Sequence, residues 1–556
     1  MTRRRLPSTW IALAVYSLLA VAVFSSAWVD PAGRWIGSQK DPRLFIWYLG
    51  WIPHQLSHGL NPLFTDYLSF PPGVNLMWNT SMIFPAIALW PVTTLFGPVV
   101  AYNLLITVGI ALSAWCGFLA ARRFIDGDLP CLLAGLLYGF SPGLLAQALA
   151  HAHVAVSLFP PVALILGHEI LVRRRLEPVV AGALAGVAGA VQLLTGEELL
   201  AVTLLIAAFG VALLAMLRRD EVRSSLPYVG KAAAATLIVF GFLAAYPLGF
   251  QFLGPQRVFG NVQRPDVYVT DLLSFFRPSN LIHFTGNFSE NDAYVGIPLL
   301  ALFAAGLAAG WRTARIRWVG LMAVVVAVLS LGPHLHVDGN VTPVVLPWLA
   351  VAQLPLMGSA LPGRLMAIGF LGIGIVVAYA CARGIAAQGR WRIATGLLLL
   401  AGLATIVPPI PYPSVAATAP AFFRPGGDVE KISSGSVVLV TPFSSKESTD
   451  AMYWQATADY RFRMPEGDAF TPGPYLGPHP SFLESTLDQL NTGQTIVVTP
   501  GIRDKARADI RSFSVATIVA GPSPGQAAIV EFLTEVEGAP PVDDGGVKVW
   551  WAVSSA

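Results

Sequence analysis

Residues 1–42 read MTRRRLPSTWIALAVYSLLAVAVFSSAWVDPAGRWIGSQKDP, and this stretch decides the fold. The arginines Arg3–Arg5 precede an apolar run from Thr9 to Val29. About 20 apolar residues cross the hydrocarbon core of a bilayer as a helix, and a basic flank holds its own end of the helix in the cytoplasm. The run is long for a signal peptide and no convincing small-x-small cleavage site follows it. It therefore reads as an uncleaved first span, and the aromatic, mildly charged segment 30–81 that follows it reads as external.

Working outward, further apolar runs lie near 82–96, 99–121, 129–149, 154–172, 177–195, 199–217, 231–253, 293–310, 317–333, 364–384 and 393–410. Of the 556 residues 54% are hydrophobic and 12% charged, about half the charge of a typical soluble domain. Lipid is therefore the main solvent, and helices are the expected spanning elements because lipid satisfies no backbone polar group. The expected architecture is an α-helical polytopic bundle of about 11–13 spans. A net charge of +3 without a basic tract gives no reason to invoke nucleic acid. Cys116, Cys131 and Cys381 fall in or beside apolar runs and form no CxxC pair, so neither a zinc knuckle nor a disulfide framework is suggested.

Arginine and lysine gather at Arg3–Arg5, Arg122–Arg123, Arg173–Arg175, Arg218–Arg223, Arg312–Arg317 and Arg383–Arg392. With all of them in the cytoplasm, segments 30–81, 150–153, 196–198, 254–292, 334–363 and everything after 410 lie outside. One conflict arises: 82–96 and 99–121 cannot both span if Arg122 and Arg123 are inside. Segment 82–96 is short and carries Pro85 and Pro91, which suits a re-entrant or outer-leaflet piece; otherwise the loop at 122–128 is external. Segment 30–81 reads as short amphipathic helices resting on the membrane surface. The expected domains are a membrane domain over 1–410 and an extracytoplasmic α/β domain over 411–556. In the latter, Ser436–Thr441, Thr495–Thr499, Ala516–Ala520 and Val547–Val553 read as strands, and 481–491 and 502–512 as helices.

Several side chains could carry chemistry. Asp41 follows the first span closely and precedes an aromatic helical stretch; a carboxylate at the bilayer surface can act as a general base, or with Pro42 behind it simply cap that helix. His54 and His58, at i and i+4, share a helix face as a substrate-binding or metal pair. Asp126 and Asp128 form a DxD triplet that serves either as a turn or as a weak site for a divalent metal. His151, His153, Glu197 and Glu198 stand at two external hairpin tips, where acidic groups at membrane depth are functional suspects. Arg364, at the mouth of a span, can hold a phosphate or snorkel to the interface; Arg257 and Arg264 are weaker candidates for the same task. Trp47, Tyr48, Trp51 and Trp78 suit either an interfacial belt or a sugar platform, while Tyr453, Trp454 and Tyr460 lie past the linker, where a belt explains them less well.

The stretch SMIFPAIALWPVTTLFG (81–97), after a first outer loop with an early Asp, resembles the GT-C superfamily of membrane glycosyltransferases. FLAARRFIDGDLPCLLAGLLYGFSP (118–142) is similar to the corresponding helices, and AMYWQATADYRFRMPEGDAF (451–470) to the exported C-terminal domains of some bacterial members. The resemblance covers roughly 10–200 in detail and the rest in layout. It implies a polyprenyl-phosphate-sugar donor, a glycan or lipid acceptor, inverting transfer to an acceptor hydroxyl on the outer face of the inner membrane, and Asp41 as the base. It matches Asp126 and Asp128 to a second acidic motif. Metal-binding members carry a clearer acidic pair in the first loop, where Asp41 has Lys40 and Pro42 as neighbours.

Two other functions fit the same layout. A flippase or transporter of a lipid-linked saccharide needs a polar path, and the spans after residue 129 hold few ionisable groups. A non-catalytic scaffold would use the outer domain to bind envelope glycan.

Overall fold

The apolar runs become helices. In a computed structural model the described residues are 6–261, 264, 266–278, 293–387, 389–443, 448–473, 476–477, 480–551 and 553, with the side chains of 6, 7, 221 and 222 left out. The Arg3–Arg5 cluster and 279–292 of the expected outer segment 254–292 lie outside the described residues. Among the described residues six helices are long and apolar enough to cross a membrane: Pro98–Ala121, Asp128–Gln147, Ala152–Arg173, Glu197–Leu217, Arg223–Leu253 and Pro362–Ala386. Shorter apolar helices are Ser8–Val23, Pro178–Leu193 and Ile297–Gly310. The chain divides into two compact units: 1–31, 103–245 and 261–414 form the first, and 32–102, 246–260 and 415–556 the second.

The first unit is a helical bundle. Its most enclosed helix, Met366–Ala386, packs against Asp128–Gly139, Ile297–Gly310, Ala314–Ser330 and Arg390–Ile406. Small residues permit this: a Cβ at Gly306 would lie 2.5 Å from the Val376 carbonyl oxygen, and one at Gly374 2.9 Å from that of Ala134. Close backbone approach of this kind replaces the missing hydrophobic drive between helices in lipid. Arg122 donates to Ser8 Oγ at 2.9 Å and Thr9 Oγ1 at 2.8 Å, so the start of the first helix and the end of Pro98–Ala121 share one end of the bundle. The early conflict resolves accordingly: 82–96 is no span but two short helices, Ile83–Ala88 and Trp90–Phe96, in the second unit.

Asp266 and Asp271, from the expected outer segment, serve a β-hairpin, His334–Val337 with Asn340–Val345. His334 Nδ1 lies 3.1 Å from Asp266, Asp271 accepts from the Gly339 N–H at 2.8 Å, and Arg277 meets Asp338 at 2.6 Å.

The second unit holds a four-stranded sheet ordered Val437–Thr441, Val515–Ala520, Val547–Trp550, Val542–Asp544; the first pair is parallel and the others antiparallel. Helices Phe482–Asn491, Pro500–Ser512 and Gln526–Glu537 pack on it through Leu487, Ile510, Ile529 and Phe532. The expected strand Thr495–Thr499 is extended but unpaired: Ile496 and Val498 turn to this core while Val497 stays exposed, and Thr499 caps the next helix. The alternation is real, but it belongs to an approach segment. The expected short helices of the outer segment 30–81 are replaced by a longer element. The segment contributes one 17-residue helix, Asp41–Ser57, whose inner face is buried within the second unit against Asp450–Thr457.

Candidate functional site

Two groups of candidate side chains assemble, one in each unit. In the first unit Glu198 opens the Glu197–Leu217 helix behind Gly196, Arg364 sits in the short turn Pro362–Leu365, and His153 belongs to the turn Ala152–Ala155. Arg364 Nη1 donates to Glu198 Oε2 at 2.5 Å, and the Leu361 N–H donates to Oε1 at 2.9 Å. His153 Nε2 stands 3.8 Å from the same carboxylate and 3.4 Å from the guanidinium. The three side chains are largely enclosed, at 11%, 20% and 6% exposure for Arg364, Glu198 and His153. Gln192 donates to the Gly196 carbonyl at 2.9 Å and so fixes the turn that delivers Glu198. Residues at three separate tips thus form one cluster, in which a carboxylate orients the arginine. His151 stands beside it, its ring 6.1 Å from that of His153, and Glu197 adjoins Glu198 in the first turn.

In the second unit Asp41 is the first residue of the Asp41–Ser57 helix, and Lys40, not Asp41, occupies the N-cap. The expected capping role is therefore corrected: Asp41 lies inside the first turn, where the helix dipole favours a negative charge. The helix is fixed by its neighbours. Thr449 donates to the Lys40 carbonyl at 2.7 Å, and Arg43 pairs with Asp450 at 2.8 Å while covering Trp35 at 5.4 Å. Burial lowers the Arg43 pKa, and the Asp450 carboxylate opposes that shift. Trp47 Nε1 donates to Gln455 at 2.7 Å, and the Tyr460 hydroxyl donates to the Trp47 carbonyl at 2.7 Å.

Two tyrosines sit beside carboxylates here: Tyr102, which the sequence does not single out, and Tyr48, read there only as a belt or platform aromatic. Tyr102 lies within electrostatic range of Asp41, and Tyr48, two turns along the helix from Asp41, within range of Asp468. Both are fully buried, and neither hydroxyl has a hydrogen-bond partner among the described residues. Burial, with Asp468 close by, raises the Tyr48 pKa and keeps it protonated. The carboxyl of Glu466, enclosed two residues before Asp468, is also pushed well above the usual carboxylate range by burial. The one signal that could have found Asp468 is its place in the 451–470 stretch quoted above.

Other candidates take structural roles. His54 and His58 do share a face, with ring centroids 4.5 Å apart, but His54 faces Asp459 at 3.5 Å and His58 Nδ1 meets the His54 carbonyl at 2.8 Å. Asp128 pairs with Arg122 at 2.6 Å. No group of three or more His, Cys, Asp or Glu side chains suited to a metal gathers among the described residues. Of the Asp126–Asp128 triplet, Asp128 serves as the ion-pair partner of Arg122. Arg257 donates to the Phe252 carbonyl at 3.1 Å, at the end of the Arg219–Leu253 helix. The tail aromatics are corrected as a sugar platform: Trp454 stacks on Phe423 at 5.3 Å, Tyr453 meets Trp35 at 5.3 Å, and both are enclosed. Trp47 and Trp51 stack at 5.0 Å in the protein interior, so they form no interfacial belt.

No protein-family model and no curated protein sequence matches the chain. Solved structures do match. The chain is similar to the oligosaccharyltransferase of Archaeoglobus fulgidus in the apo form, with a TM-score of 0.54 at 12% identity, over 92% of this chain and 69% of that one. It is equally similar to that enzyme, AglB, in complex with an inhibitory peptide and a dolichol-phosphate, at a TM-score of 0.54. It is also similar to the arabinofuranosyltransferase AftD from mycobacteria, with a TM-score of 0.58 at 16% identity, over 100% of this chain but 40% of AftD, so it spans less than half of that protein. The chain has the fold of GT-C membrane glycosyltransferases.

Proposed function

We propose that the chain is an integral membrane glycosyltransferase that moves a sugar from a polyprenyl-phosphate donor to an acceptor hydroxyl on the outer face of the inner membrane. The fold, shared with an enzyme solved with dolichol-phosphate, supports a lipid-linked donor. The observation that carries the reading is Asp41, set in the first turn of a helix anchored through Thr449 and Asp450. In the reaction the acceptor oxygen attacks the sugar C1 from the face opposite the phosphate. The C1–O bond to the phosphate breaks with its electron pair, the new glycosidic bond forms with inversion, and the acceptor proton passes to Asp41. A carboxylate in this role contributes about 10²–10⁴-fold.

Arg364, oriented by Glu198, is the donor-phosphate ligand in this scheme. A guanidinium stabilises the charge that develops on a leaving phosphate and needs no proton transfer to do so. His151, His153 and Glu197 adjoin Arg364 and Glu198 within the first unit.

Asp41→Asn keeps the shape and removes the base. Transfer from a polyprenyl-phosphate sugar by the purified full chain is expected to fall about 10²–10⁴-fold, while the variant retains the donor lipid. Unchanged turnover would remove Asp41 from the chemistry, and lipid translocation without transfer in the unaltered protein would favour a flippase.

A further inference from the structure

A cavity of about 880 Å³ lies wholly within the first unit, bounded by the Ala152–Arg173, Glu197–Leu217, Ala314–Ser330 and Pro362–Ala386 helices. Along Glu197–Leu217 its lining runs from Thr203 to Leu217, about 21 Å at the α-helical rise. That is roughly two thirds of a bilayer's hydrocarbon thickness. Its walls are apolar, with Leu214, Trp318, Met322 and Val326 among them. Its mouth carries Arg122, Arg123, Arg173, Arg175, Arg218 and Arg315, and among the described residues no carboxylate lines it. Two of them are tied together: Arg315 donates to the Arg123 carbonyl at 3.3 Å, and Arg123 faces Glu169 at 3.7 Å. Glu169 and Asp128, which pairs with Arg122, stand outside the lining.

An apolar slot with a polycationic mouth has the charge and shape complement of an anionic amphiphile. Guanidinium groups hold phosphate bidentately, and basic pockets between helices at the cytoplasmic leaflet take anionic headgroups. We propose that this cavity binds an anionic membrane phospholipid, with an acyl chain between the helices and its phosphate among the arginines. Arg364, assigned to the donor phosphate, does not line it. The phospholipid site is therefore separate from the transfer site and does not rest on the transferase reading.

Native mass spectrometry of the delipidated full chain with phosphatidylglycerol or phosphatidylcholine tests this. The anionic lipid should be retained about tenfold better. Arg175→Gln with Arg315→Gln should bring the two lipids close to parity, and Ala207→Trp, which fills the apolar part, should lower retention of both. Equal retention of the two lipids by the unaltered protein overturns the proposal without any variant having to fold. So does displacement of phosphatidylglycerol by equimolar polyprenyl phosphate, which would give the cavity to the donor. A preference untouched by the arginine exchanges in a monodisperse variant overturns it as well.

Discussion

Removing the Glu198 side chain leaves an enclosed guanidinium without its carboxylate. Arg364 and Glu198 meet at 2.5 Å at low exposure, and breaking one half of a buried pair costs about 3–5 kcal/mol, whereas removing both halves costs less. Glu198→Ala should therefore lower the thermal midpoint in detergent more than the double exchange Glu198→Ala with Arg364→Ala does. If the two single effects simply add, the two groups do not act as a pair. Each member of the cluster is visible in the sequence, His153 and Glu198 at hairpin tips and Arg364 at the mouth of a span, but its partner is not. Arg364 and Glu198 are 166 positions apart, and no local pattern records a contact at that separation.

At the scale of elements, Gly50 shows how tightly the Asp41–Ser57 helix is seated. A Cβ there would overlap the Tyr460 hydroxyl, and that hydroxyl is spent on the Trp47 carbonyl. Asp459 and Tyr460 both take left-handed backbone, with φ of 50° and 54°, a conformation that holds only when packing enforces it. Gly50→Ala should cost about 1–3 kcal/mol, seen as a lower unfolding midpoint, and Tyr460→Phe should restore part of it; a neutral Gly50→Ala would mean that this contact does not hold the helix. The apolar runs gave the helices legibly, because lipid demands length and continuity. The outer segment is less legible, because its aromatics suit an interface as well as a core. What decides between them is the Trp47–Gln455 bond, across 408 positions. The Asp450–Thr457 helix that receives it went unrecognised for the same reason: Tyr453 and Trp454 read as ligand-facing until Trp35 and Phe423 are seen to cover them.

For the whole molecule, the clusters at 122–123, 173–175, 218–223 and 312–317 each send at least one arginine to the lining of one cavity. A bilayer with an anionic inner leaflet and a positive-inside bias then orients the chain. Transfer on the outer face requires the start of the Asp41–Ser57 helix to meet extracytoplasmic water, and the 218–223 cluster to meet the cytoplasm. Cys116, Cys131 and Cys381 are all buried, so an introduced thiol reports with little background, and Gln39 and Asp220 are both exposed. Labelling intact cells with a membrane-impermeant maleimide is the most direct measurement. The account predicts that Gln39→Cys is modified at once and Asp220→Cys only after permeabilisation; the reverse pattern would put the proposed base in the cytosol and contradict outer-face sugar transfer.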